Sequence, residues 1–216
     1  MKSHFETMTH LLEGKIIAIV RLDSGEQLIH AAKALVEGGI SVIEFTFSTP
    51  GALDMVKEAS AYFGDTVVLG AGTVLDPETA RAAILAGAQF IVTPSVNLAT
   101  IKVCKRYAKP IVAGAMTPTE MMTVWEAGAD LVKVFPASSI GGPDYIKSVL
   151  APLPHLRLVP TGGVSADNAA LYLKAGAAMV AVGGSLVDKK AVARADWAAI
   201  SAEAKRLVTT VRSASA

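Results

Sequence analysis

Eight short apolar runs recur along this chain at a nearly constant interval. They are Ile16–Val20, Val42–Thr46, Val67–Leu69, Phe90–Val92, Ile111–Ala113, Leu131–Phe135, Leu156–Val159 and Met179–Val182, with centres 21 to 26 residues apart. Most are β-branched or aromatic, and they are continuous rather than alternating, the pattern of strands covered on both faces in a parallel sheet. The intervening segments have helical spacing. One covers residues 26–37; another covers 77–86, with Asp76 as N-cap and Pro77 at the first helical position; a third opens at Thr117-Pro-Thr-Glu120. Several end in a glycine placed to stop a helix: Glu37-Gly-Gly-Ile40, Ala86-Gly-Ala-Gln89, Ala127-Gly-Ala-Asp130 and Ala175-Gly-Ala-Ala178. Eight strand–helix units predict an α/β fold, a (β/α)8 TIM barrel, as a single domain over residues 1–216 with a short N-terminal helix. An open doubly wound sheet competes, but it usually has fewer repeats and a glycine-rich turn after the first strand. Here that strand ends in Val20-Arg-Leu-Asp23. The tail reads as a last helix over 197–212, fraying at 213–216.

The 216 residues are 52% hydrophobic, enough for one substantial core. The formal net charge is +1, with charges scattered, so nothing in the surface field points to nucleic acid or an anionic membrane. No apolar stretch is long enough to span a bilayer, and the first residues carry no signal-peptide core. The expected setting is cytoplasmic and the expected partner a small molecule. The single cysteine, Cys104, lies in a helical stretch and reads as a buried small hydrophobe.

Barrel active sites lie at the C-terminal ends of the strands. Very few strands carry charge inside an apolar run. Lys133 does, in Leu-Val-Lys-Val-Phe, and so does Glu44, in Val-Ile-Glu-Phe-Thr. Charges so placed are costly unless paired or employed. A mutual ion pair that only fixes the interior is one reading; chemistry is the favoured one. A lysine must be neutral to attack a carbonyl, and desolvation favours the neutral amine. A nearby carboxylate can then carry protons. The seventh run continues into Thr161-Gly162-Gly163 and the eighth into Gly183-Gly184-Ser185, where such barrels often bind phosphate. Thr73, in Gly70-Ala-Gly-Thr73, could hold a carboxylate or carbonyl oxygen, although on its own it reads as a residue capping its loop. The histidines (His4, His10, His30, His155) do not converge, and Glu44 has no carboxylate companion, so no metal and no cofactor is expected.

These motifs resemble the class I 2-keto-3-deoxy-6-phosphogluconate (KDPG) and 4-hydroxy-2-oxoglutarate (KHG) aldolases from about Ile16 to Leu186. The specific parts are Glu44-Phe-Thr46, Gly70-Ala-Gly-Thr73, Thr93-Pro94, Gly114 with Thr117-Pro-Thr-Glu120, Lys133-Val-Phe-Pro136, Pro160-Thr-Gly-Gly163 and Gly183-Gly-Ser185. The resemblance implies a homotrimeric barrel that cleaves KDPG, a phosphorylated 2-oxo acid, to pyruvate and glyceraldehyde 3-phosphate. It implies Lys133 as Schiff-base lysine, Glu44 as general acid/base and Thr73 on the pyruvate carboxylate. Pro94 and Phe135 would wall the pyruvate pocket, Thr161 would flank the substrate, and Gly162, Gly163, Gly184 and Ser185 would hold phosphate. Many members carry arginine four residues after the glutamate, where it meets the substrate carboxylate; here Ser48 stands there, and a hydroxyl cannot make the bidentate charged contact. Arg21, at the end of the first run, resembles an arginine of some branches and could meet the anionic substrate, or merely bridge loops. The galactonate epimer and KHG are the runner-up substrates. A phosphosugar isomerase or epimerase, or a non-catalytic assembly subunit, would be the alternatives outside this chemistry.

Overall fold

The computed structural model describes residues 2–22 and 25–215, apart from the side chains of residues 25, 26 and 215. In order, the elements are α1 (His4–Gly14), β1 (Ile16–Val20), α2 (Gly25–Glu37), β2 (Val42–Thr46), α3 (Ala52–Phe63), β3 (Val68–Gly72), α4 (Pro77–Leu85), β4 (Phe90–Val92), α5 (Leu98–Arg106), β5 (Ile111–Gly114), α6 (Pro118–Glu126) and β6 (Leu131–Val134). Then follow a 3-10 turn (Ala137–Ile140), α7 (Gly142–Leu150), β7 (Leu158–Pro160), α8 (Ala169–Lys174), β8 (Val180–Val182), α9 (Lys189–Ala193) and α10 (Trp197–Ser215). The eight strands are parallel in the order β7-β6-β5-β4-β3-β2-β1-β8. The circle closes through a thin seam: a parallel bridge pairs Thr161 with Ala181, and the Ala178 N–H donates to the Leu158 carbonyl at 2.9 Å.

Local chemistry sets the helix ends. Ser3 and Glu6 form a capping box on α1, and Thr117 and Glu120 form another on α6. Asp76 accepts from the Thr79 N–H at 2.6 Å to start α4. The four expected stop glycines, Gly39, Gly87, Gly128 and Gly176, all take positive φ. The last helix continues to Ser215 instead of fraying from 213; residue 216 lies outside the described residues.

Side chains alternate between the two faces of each strand. One set fills the barrel: Ile17, Ile19, Val42, Val68, Phe90, Val92, Val112, Leu131, Val159, Met179 and Ala181, with Met8 and Leu11 of α1 closing the N-terminal end. The other set packs outward against the helices. The parity that sends Val42 and Leu131 inward also sends Glu44 and Lys133 inward, two residues nearer the C-terminal end. Gly70 has an interior role: a Cβ there would lie 2.3 Å from the Phe90 ring, so its absence admits that ring. Cys104 is buried, and burial pushes its thiol up to about 12, in keeping with a packing role. Among the described residues no helix is long and apolar enough to cross a membrane.

Candidate active site

A cavity of about 810 Å³ opens at the C-terminal end of the barrel. Ten of the twelve expected site residues line it: Arg21 after β1, Thr73 after β3 and Pro94 after β4, Lys133 and Phe135 on and after β6, Thr161, Gly162 and Gly163 after β7, Gly184 and Ser185 after β8. Lys133 is 5% exposed, and its Nζ lies 5.3 Å from the centre of the Phe135 ring. In the ladder it sits between Gly114 of β5 and Val159 of β7.

Glu44 does not line the cavity. It is 1% exposed and lies against β3, where a Cβ on Gly72 would fall 1.7 Å from Glu44 Oε1; only glycine leaves room for this carboxylate. Neither carboxylate oxygen has a hydrogen-bond partner. Burial therefore raises the Glu44 pKa above the ordinary carboxylate range, and the nearby positive charges of Lys133 and Arg21 oppose this only in part. Glu44 and Lys133 share the interior, but no hydrogen bond or ion pair joins them, against the alternative reading of a mutual ion pair. A pair kept for structure alone would be in contact, because each charge would then offset the other's desolvation.

Thr73 is held at φ +56, a left-handed conformation that is rare and strained for a β-branched residue. Such strain persists where surrounding structure imposes it, and here it places a threonine at the cavity wall. Gly162 and Gly163 also have positive φ, and a Cβ at Gly163 would strike Ser138 Oγ at 2.3 Å, so this turn requires glycine. Asn168 Nδ2 donates to the Gly163 carbonyl at 2.9 Å, which holds the turn with its amides available. Ser185 Oγ donates to the Val164 carbonyl at 2.7 Å, joining the loops after β7 and β8.

Ser48 is not brought into the site. It is exposed and outside the cavity lining, and its hydroxyl donates to Thr46 Oγ1 at 3.3 Å. Three polar lining residues went unread in the sequence: Ser165, Asp188 and Lys189. Each follows a Gly-Gly turn by a few residues, and that proximity was the signal available. The histidines serve elsewhere. His4 meets Asp130 at 2.9 Å, His10 meets Ser41 at 2.7 Å, His30 stacks on Trp197 and His155 packs edge-on to Trp125. Among the described residues no three His, Cys, Asp or Glu side chains gather as metal ligands would.

A family model described as KDPG and KHG aldolase matches residues 8–203. The chain belongs to this family. It is thus an aldolase, a carbon–carbon lyase, rather than a phosphosugar isomerase or an assembly subunit. Its sequence is 35% identical over 198 residues to the 2-dehydro-3-deoxy-phosphogluconate aldolase of Treponema pallidum, covering 91% of this chain and 93% of that one. Its fold matches a native KDPGal structure with a TM-score of 0.86 at 31% identity, covering 93% and 95% of the two chains. It also matches the KDPG aldolase of Legionella pneumophila, captured with pyruvate as a covalent carbinolamine, with a TM-score of 0.85 at 26% identity over 93% and 97%.

Proposed function

We propose that this aldolase cleaves 2-keto-3-deoxy-6-phosphogluconate to pyruvate and glyceraldehyde 3-phosphate through a Schiff base on Lys133. The observation that carries the reading is a buried lysine amine at the floor of an anion-suited cavity, with an unpartnered buried carboxylate beside it. Lys133 Nζ attacks the C2 carbonyl, and the carbinolamine loses water to give the iminium. Removal of the C4 hydroxyl proton then lets the C3–C4 electron pair move into the iminium, releasing the aldehyde and leaving an enamine. Protonation at C3 and hydrolysis return pyruvate and the free amine. Glu44 carries these protons; a carboxyl raised above its ordinary range is better matched to passing protons near neutral pH than an ordinary one. Thr73 takes the pyruvate carboxylate, Pro94 and Phe135 wall the methyl side, and Thr161 flanks the chain. The amides of Gly162, Gly163 and Gly184, with Ser185, take the phosphate. Arg21 supplies positive charge at the mouth. Ser48 could reach substrate only after its loop moves. The protein acts as one domain over 1–216 in a homotrimer, in the cytoplasm, with no cofactor beyond the covalent substrate.

The test is incubation with pyruvate and borohydride, followed by intact mass and peptide mapping. One reduced pyruvate on Lys133 is expected, and Lys133→Ala should lose both adduct and cleavage while keeping its fold. Turnover by folded Lys133→Ala would overturn the mechanism. Parallel assays with the galactonate epimer and with unphosphorylated KHG decide among the substrates that family members are named for.

A further inference from the structure

We propose that Thr93 is a positioning residue that fixes the Pro94 wall beside Lys133 and so limits which 2-oxo acids can form the Schiff base; this rests on the Lys133 reading above. Thr93 directly follows β4, and its N–H donates to the Val112 carbonyl at 3.1 Å. It is 1% exposed, and its hydroxyl is used in both directions. It accepts from the Gly114 N–H at 3.0 Å and donates to the Ser95 carbonyl at 2.8 Å. The first bond ties the turn to β5; the second folds the chain back over that strand.

The fold-back is tight. A Cβ on Gly114 would lie 2.3 Å from the Pro94 carbonyl carbon and 2.4 Å from the Ser95 nitrogen, so the Pro94–Ser95 peptide rests directly on the glycine. Gly114 is the ladder partner of Lys133, and the next residue, Ala115, donates its N–H to the Lys133 carbonyl at 2.9 Å. One hydroxyl therefore couples a cavity wall to the backbone that carries the reactive lysine. Pro94 lines the cavity and Thr93 does not, so Thr93 acts through its neighbour. Without the hydroxyl, a buried amide and a carbonyl lose their partner, and the Pro94 turn can lift from Gly114. Extra room would then open where a second substituent at C3, beside the one that continues the substrate chain, must fit.

One methylene in a well-formed apolar pocket is worth roughly 10–200-fold in discrimination. The experiment sets 2-oxobutyrate against 3-methyl-2-oxobutyrate, which carries one more methyl at C3, in borohydride trapping on Lys133, with adducts resolved by mass. Wild type should favour 2-oxobutyrate within that range. Thr93→Val and Thr93→Ala should lower the ratio about tenfold or more, and Thr93→Ser, which keeps the hydroxyl, should restore it. A Val or Ala variant with wild-type selectivity overturns the proposal, as does a Ser variant as permissive as Val. If neither Val nor Ala gives a cooperative melt, Thr93 holds the fold rather than the wall, and the proposal falls. Absence of any adduct in wild type, with pyruvate itself as well, would instead sink the Schiff-base reading.

Discussion

Glu44 bears a cost that its side chain alone makes visible. Its carboxyl is buried with no hydrogen-bond partner, so the folded state favours the protonated form more than the unfolded chain does. Between the ordinary carboxylate range and the raised value, the folded protein keeps a proton that the unfolded chain has released. Unfolding then releases a proton, and this group's contribution to stability falls as pH rises through that interval. Glu44→Gln removes the titration and retains the shape. The variant should match wild type in stability near pH 4 and exceed it at pH 8 by about 0.5–2 kcal/mol, the usual scale for relieving strain at a working site. Its turnover should fall by ~10²–10⁴. Denaturant melts at the two pH values, together with steady-state assays, check both. A stability difference that does not change with pH would mean that Glu44 does not titrate as its surroundings require.

At the scale of elements, Asp130 joins three of them at the end of the barrel away from the cavity. Its carboxylate meets His4 Nε2 of α1 at 2.9 Å and Lys105 Nζ of α5 at 3.0 Å, and accepts from the Ile111 N–H of β5 at 3.0 Å. Asp130→Ala would leave that strand amide unpaired and loosen α1, whose Leu11 is fully buried in closing the barrel. We expect a loss of about 1–3 kcal/mol in urea unfolding, with pyruvate trapping on Lys133 unchanged. Lost trapping in folded protein would show that the two ends are coupled. The elements themselves were largely legible, because strand and helix starts are written in side chains. Val42–Thr46 and Phe90–Val92 fall where expected. β3 is different: apolar reading gave Val67–Leu69, yet the strand runs Val68–Gly72, because Gly70 and Gly72 are kept small for Phe90 and Glu44. β7 starts at Leu158 rather than Leu156, whose N–H is engaged in a turn to the Leu153 carbonyl. The site was legible wherever an unusual residue interrupts a strand. Ser48 misled because a position in a motif does not say which way a loop side chain turns, and Lys189 was missed because one lysine among many carries no periodic signal.

Across the whole molecule, the two ends of the barrel divide the labour. α1 and an apolar interior close one end, while glycine turns and a strained threonine open the other. The division meets its weakest point at the β7–β8 seam, where one bridge and the Ala178–Leu158 bond complete a circle that full ladders complete elsewhere. The proposed phosphate ligands, Gly162 and Gly163 on one side and Gly184 and Ser185 on the other, flank that same seam. An anion held by both loops would close the barrel more firmly than its own hydrogen bonds do. Bound at about 100 times its Kd, a ligand specific for the folded state adds about 2.7 kcal/mol to global stability, and local opening at its contacts is suppressed first. Inorganic phosphate should therefore slow hydrogen exchange at the Thr161 and Val187 amides, which flank the seam at the cavity end, more than at Lys15 and Ile111, at the opposite end. Equal slowing at both ends would mean that phosphate acts only through global stability. Slowing on the β7 side without the β8 side would mean that the anion sits on one loop, leaving the seam to the protein's own bonds.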